Sequence, residues 1–228
     1  VDALIIAGDL YDRALPPKEA VQLANEFFTT VTQELEVPIF VISGNHDSNE
    51  RIEYGADLFA HSGLYITGKT QEKVRKVTLG DANFYLVPYS DPREVAQILE
   101  KDEIKTPEDA IRAQINQMKE DWDESALNII LYHGFVIAVG EKLPEESDSE
   151  RPLSIGTIEY VPAEVFKDFD YVALVHLHKA QKVGSEKVRY SGSPIKYSKS
   201  EAHHKKQNLL VDVSKDGVEV EPVILPVH

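Results

Sequence analysis

Four short apolar runs constrain the fold of this chain, because each ends on polar residues of the kind that bind metal ions. Leu4-Ile5-Ile6-Ala7 runs into Gly8-Asp9, and Ile39-Phe40-Val41-Ile42 runs on to Gly44-Asn45-His46-Asp47. Asn128-Ile129-Ile130-Leu131-Tyr132 runs into His133, and Tyr171-Val172-Ala173-Leu174-Val175 into His176-Leu177-His178. Continuous apolar runs of this kind read as strands buried on both faces, as in parallel sheets covered by helices. In open α/β sheets the ligand site lies just past the carboxyl ends of the strands. An Asp, an Asn and several His placed there would form a cluster of oxygen and imidazole ligands.

The segments between the runs support an α/β reading. Pro16-Pro17 opens a helix, since proline is tolerated in the first turn. Ala20, Val21, Ala24, Phe27, Phe28, Val31 and Leu35 then recur at three-to-four spacing and give one apolar face. With the run to Ile42 this makes a strand–helix–strand unit, whose crossover would be right-handed. A second helix is expected over residues 51–60, a hairpin over 74–79 and 83–87, and helices over 92–100 and 107–122. Residues 140–152 are acidic and hold two prolines, so they read as an exposed loop. The tail segments 187–190, 207–213 and 218–225 read as antiparallel strands, with a turn at Lys215-Asp216-Gly217.

Composition narrows the class. A chain of 228 residues, 42% hydrophobic, can bury a sizeable core as one large domain, with or without a small appendage. No apolar run is long enough to span a bilayer and there is no signal-peptide pattern, so a cytoplasmic protein without a membrane is expected. The absence of cysteine excludes disulfides, thiolate chemistry and Cys-ligated zinc. A net charge of −15 argues against a simple DNA-binding domain. Bound divalent cations would reverse the field locally, however. Eight Lys/Arg also lie between Lys179 and Lys206, opposed there only by Glu186 and Glu201. Charge therefore leaves the substrate open. The chain begins inside a strand, so a natural start further upstream is expected.

The strand ends carry the chemistry. Gly8-Asp9-Leu10-Tyr11-Asp12 sets a carboxylate after a glycine that lets the backbone turn tightly. In isolation it reads equally as an Asp capping the next element. Gly44-Asn45-His46-Asp47 is more specific: the Asn oxygen is a neutral hard ligand, His46 a proton donor, and Asp47 a carboxylate able to orient its ring. In an extended segment, His176 and His178 would project from one side about 6.5–7 Å apart. That separation suits two cations roughly 3.5–4 Å apart. His133 alone would be an ordinary core histidine, and gains weight only by ending a strand beside the others. His61, His203, His204 and His228 fall outside the pattern, His203-His204 reading as an exposed basic turn. Tyr190-Ser191-Gly192-Ser193 reads as a tight turn whose amides could face a phosphate.

Together, Gly8-Asp9-x-x-Asp12, Gly44-Asn45-His46-Asp47, His133 and His176-x-His178 resemble the calcineurin-like metallophosphoesterases. Within that superfamily Gly8–Arg13, Ser43–Ser48, Ser149–Gly156 and Tyr190–Pro194 resemble the SbcD-type nuclease subunits, which work with an SbcC-like ATPase on DNA ends and hairpins. The resemblance implies a four-layer α-β-β-α sandwich, followed by a capping domain mostly absent here. It also implies a DNA exonuclease and hairpin endonuclease of repair, recombination and replication. By resemblance Asp9 bridges two divalent cations, manganese foremost and magnesium as the other option. Asn45, His133 and His176 complete one site and His178 belongs to the other. His46, with Asp47 behind it, would protonate the departing oxygen, while Asp12, Arg13, Ser191 and Ser193 line the substrate path.

Two departures accompany it. An Asp-x-His motif expected before the first strand is missing, leaving the first metal with only Asp9 and His178, so a single bound ion is one expectation. Val175 stands where the family has Gly, at a place where glycine permits positive φ or close backbone approach. Two other readings stay open: a phosphoesterase acting on small or protein phosphoesters, and an interaction module that kept the fold without catalysis. A homodimer through the helices after Pro17 or Asp47 is a further expectation.

Overall fold

The four apolar runs become strands, divided between two sheets. The computed structural model describes residues 1–150 and 160–226. β1 (Leu4–Ile6), β2 (Ile39–Ile42) and β3 (Leu64–Thr67) form a small all-parallel sheet in that order. β4 (Arg75–Leu79) and β5 (Ala82–Val87) form the expected hairpin, and β6 (Leu127–His133) joins β5 in parallel. A short parallel ladder, β7 (Val136–Ile137) with β8 (Val161–Pro162), leads to β9 (Tyr171–Val175), which lies parallel to β6. β10 (Gln181–Val183) and β11 (Ser185–Tyr190) complete a six-stranded sheet of order β10-β11-β9-β6-β5-β4.

The two-residue period of a strand decides what faces what. From β2, Phe40 and Ile42 point toward the large sheet, where they pack with Phe84, Leu86, Ile129, Leu131, Tyr171 and Ala173. Phe40 stacks on Phe84 with ring centroids 4.1 Å apart. Losing a buried Phe of this kind costs about 3–5 kcal/mol. Ile39 and Val41 point the other way, toward α2 (Asn49–Glu53), α3 (Ala56–Ala60), and Phe28 and Val31 of the first helical segment. On the far side of the large sheet, Tyr85, Ile130, Val172 and Leu174 meet Ile111, Ile115 and Met118. The layers are helix, sheet, sheet, helix: a four-layer α-β-β-α sandwich.

Several element boundaries differ from the expectation for physical reasons. α1 (Lys18–Thr29) begins after Pro17 and ends in a π-type turn over Thr30–Glu34. Only part of its apolar stripe is used: Val21, Leu23, Phe27 and Leu35 stay 43–67% exposed. The expected helix over 51–60 is broken into α2 and α3 at Gly55, whose φ of +75° is left-handed. α4 (Pro92–Ile98) follows the large-sheet hairpin. α5 (Pro107–Met118) starts at a Thr106/Asp109 capping box and gives way to a single 3-10 turn before Trp122. β11 was expected to be antiparallel, but it pairs in parallel with β9 and antiparallel only with β10. Alternation reveals a strand's faces but not its direction. β12 (Gln207–Ser214) and β13 (Gly217–Ile224) form the expected antiparallel hairpin, resting Val211, Val213 and Val218 on the core between the sheets. Among the described residues no helix is long and apolar enough to cross a membrane.

Candidate active site

The ends of β1, β2, β6 and β9 meet, and two glycines make the meeting possible. A Cβ at Gly8, where φ is +111°, would lie 2.3 Å from His133 Nδ1. A Cβ at Gly44 would lie 2.1 Å from Asp9 Oδ1. No side chain fits at either place, so the ends of β1 and β2 approach at backbone contact and the His133 ring at the end of β6 packs directly on Gly8. Asp9 itself has a φ of +49°. Its Oδ1 accepts the His46 backbone N–H at 2.9 Å.

His133 is buried, and its Nδ1 lies 3.2 Å from the Ala7 carbonyl oxygen. A carbonyl can only accept, so Nδ1 carries the proton and Nε2 keeps a lone pair. Burial is the largest influence on its pKa and lowers it, which keeps the ring neutral. Its Nε2 stands 2.8 Å from Asn45 Oδ1 and 3.5 Å from Asp9 Oδ2. Three acceptor atoms thus face one another with no proton between them. A cation satisfies such an arrangement, and nitrogen with hard oxygen donors suits manganese or a similar divalent ion.

His176 adds a second buried ring, its centroid 5.6 Å from that of His133. Burial, reinforced by His133, His178 and His46, pushes its pKa down to about 3, so it too is a neutral donor. Its backbone has a φ of +142°, a conformation that costs a non-glycine residue about 1–3 kcal/mol. This resolves the Val175 departure. Val175 continues β9 in register with His133, and the glycine-like backbone falls one residue later. Among the described residues, no three His, Asp or Glu side chains close into a metal-holding group. The convergent set includes the Asn45 amide.

His46 lies beside this cluster, but Asp47 does not orient its ring. The ring Nδ1 is 2.9 Å from the Asp12 carbonyl oxygen. Asp47 instead accepts backbone N–H groups from Leu10 at 3.1 Å, Tyr11 at 3.0 Å and Gly44 at 2.9 Å. It ties the loop after β1 to the loop after β2. Burial raises its pKa to about 6 against the pull of those three donors, with Asp9 adding to the rise. Asp12 and Arg13 are exposed and paired with each other at 3.1 Å. The Ser191 and Ser193 amides are not free for a phosphate. They donate to the carbonyls of Leu174 at 3.2 Å and His178 at 3.2 Å, bracing the segment after β9.

The family model of the calcineurin-like phosphoesterases matches residues 1–180. The chain belongs to that family. It is therefore a phosphoester hydrolase by family, and members of the family use divalent metal ions. Most of the calcineurin-like domain's strand-end donors lie in one cluster; His178 stands apart, in surroundings that sequence reasoning missed.

The acidic segment before residue 151 is an exposed loop, as expected, but a tethered one. The Glu145 N–H donates to Gln181 Oε1 at 2.8 Å, and the Asp148 N–H to Ser200 Oγ at 3.1 Å. Glu150 Oε1 accepts the His178 N–H at 2.5 Å. Residues 151–156 of the expected Ser149–Gly156 motif lie outside the described residues, as does His228. Of the turn expected to be exposed at His203-His204, His203 is exposed but His204 is buried, between buried Glu201 and Lys206. Glu201 Oε1 lies 2.9 Å from His178 Nδ1, and Lys206 Nζ 2.6 Å from Glu201 Oε2. Burial pushes the Glu201 carboxyl up, but hydrogen bonds from Lys206, Ser149 and His178 outweigh it and hold its pKa down at about 2. No sequence signal marks this pair: a Glu and a Lys more than twenty positions from the His-x-His read as surface charge.

Proposed function

We propose that this phosphoesterase is a metal-dependent DNA nuclease subunit of the SbcD type, hydrolysing phosphodiester bonds alongside an SbcC-like ATPase. The observation that carries the hydrolytic part is the convergence of His133 Nε2, Asn45 Oδ1 and Asp9 Oδ2. The DNA part is supported by the Gly8–Arg13, Ser43–Ser48 and Tyr190–Pro194 segments. Asp9, Asn45, His133 and His176 would hold one manganese ion, and Asp9 with His178 would serve a second. Bound ions of this kind polarise the phosphoryl oxygens and activate water.

The chain's own residues do the rest. His46, its Nδ1–H held by the Asp12 carbonyl, delivers a proton to the departing oxygen. Asp47 keeps the two strand-end loops together. Asp12 and Arg13 meet the substrate at the rim, and Ser191 and Ser193 act by supporting His178. The exposed apolar residues of α1 and α3 would be covered in a homodimer, which the solution mass at micromolar concentration checks.

Calorimetric titration with manganese is the test. Two ions per chain, lost in Asp9→Ala, support the reading; no binding reduces the chain to a non-catalytic module. His46→Ala should keep its manganese and lose about 10²–10⁴-fold in turnover, the usual contribution of a positioned acid. Loss of the metal in that variant would overturn the role of His46.

A second reading, hydrolysis of small or protein phosphoesters, is favoured by the state of the basic segment. Lys179 pairs with Glu145, Lys182 and Arg189 with Glu186, and Lys206 with Glu201, while Lys187 and Lys196 donate to backbone carbonyls. DNA affinity that falls steeply with salt supports the nuclease. Turnover of aryl phosphates unaffected by DNA supports the second reading.

A further inference from the structure

Behind His178 lies a set of buried charges with no part in the chemistry above. Glu201 and Lys206 are 0% and 2% exposed. Lys206 Nζ donates to Glu201 Oε2 at 2.6 Å, to Ser193 Oγ at 2.6 Å and to the His178 carbonyl at 3.0 Å. All three ammonium hydrogens are thereby placed. Glu201 Oε1 takes the Ser149 hydroxyl hydrogen and lies 2.9 Å from His178 Nδ1. The Ser149 oxygen, 3.0 Å from that same nitrogen, has therefore already committed its hydrogen elsewhere. With an ionised carboxylate and a committed hydroxyl facing it, His178 Nδ1 must be the donor. Removing two such charges from water costs several kcal/mol per ion, roughly, and apolar residues of similar volume are often as stable there. Stability alone does not account for the pair.

We propose that Glu201, anchored by Lys206, is a positioning residue that fixes His178 as its Nδ1–H tautomer and leaves Nε2 as the bare, ligating nitrogen. This rests on the phosphoesterase reading only for the identity of what Nε2 binds. A carboxylate behind a metal-binding histidine orients the ring and raises its basicity, and its loss typically weakens metal binding about 10–100-fold. Lys206 has a second task. By holding the His178 carbonyl and Ser193 together, it joins the ring's backbone and side chain to one anchor.

The test uses the whole chain and the variant Glu201→Leu/Lys206→Met, which removes both charges at similar volume. Long-range proton–nitrogen correlation of the histidine rings, without metal, reads the tautomer. Wild type should have His178 protonated at Nδ1 only, and the variant a mixture of tautomers. Manganese affinity by calorimetry should fall about 10–100-fold in the variant. Protonation at Nε2 in wild type overturns the proposal, as does an unchanged tautomer with unchanged affinity in the variant. If the variant does not fold, the wild-type tautomer still decides. If wild type binds no manganese, the functional reading falls, while the tautomer comparison independently decides the role of Glu201.

Discussion

The two halves of the site are held in opposite ways. Asp9, Asp47 and His133 are positioned by backbone groups: the His46 N–H, the Leu10, Tyr11 and Gly44 N–H groups, and the Ala7 carbonyl. His178 is positioned by ionised side chains, Glu201 with Lys206 at the ring and Glu150 at the backbone N–H. A backbone-built half tolerates the loss of a distant charge but has no room for an added methyl group. A side-chain-built half has the reverse sensitivity, because removing one member strands its partner in a dry interior.

The largest test of that contrast is Lys206→Ala. It leaves the Glu201 carboxylate buried without its cation, and breaking a buried pair this way costs about 3–5 kcal/mol. Denaturant unfolding should read that loss, with Glu201→Leu/Lys206→Met recovering most of it. A Lys206→Ala protein as stable as wild type would mean that the pair is not buried as described. Gly44→Ala comes next. Its new methyl meets Asp9 Oδ1 at 2.1 Å, and overpacking typically costs about 1–3 kcal/mol. Thermal melting should fall accordingly, and any stabilisation by added manganese should disappear with the displaced carboxylate. If Gly44→Ala melts normally and still responds to metal, the strand ends are not in backbone contact. The smallest effect separates His176→Gly from His176→Ala. Both lose the ring, but only glycine relaxes the φ of +142°, so it should be the more stable by about 1 kcal/mol.

How much of this was readable depends on the same contrast. The runs ending at Asp9, Asn45, His133 and His176 were legible because strand and ligand are adjacent in the chain, and the start of α5 at Pro107 was legible for the same local reason. The layer arrangement followed from apolar runs flanked by helical spacing, with the family resemblance supplying the count of layers. The direction of β11 was not legible, since its alternation of buried Val188 and Tyr190 is the same in either orientation. Residues 140–150 are the exposed loop that was expected, but His204 was misread as solvated, and buried Glu201 and Lys206 drew no notice because Glu and Lys ordinarily are solvated. The burial of Glu201 and Lys206 comes from packing against His178, more than twenty positions away in sequence. Asp47 was misassigned in the other direction. Next to His46 in sequence, it faces the amides of the loop after β1.

By itself, the sequence determined the four strands that carry the site, the residues at their ends and the tight turn at Gly8, because periodicity and side-chain volume act over a few consecutive positions. Only the tertiary structure decided which backbone groups orient His46 and His133, and that the strain after β9 falls on His176, not Val175. It alone decided that Glu201 and Lys206 leave water to stand behind His178. Hydrogen-bond partners and the cost of burying a charge are set by whatever packs against a residue in space, and no local pattern encodes that.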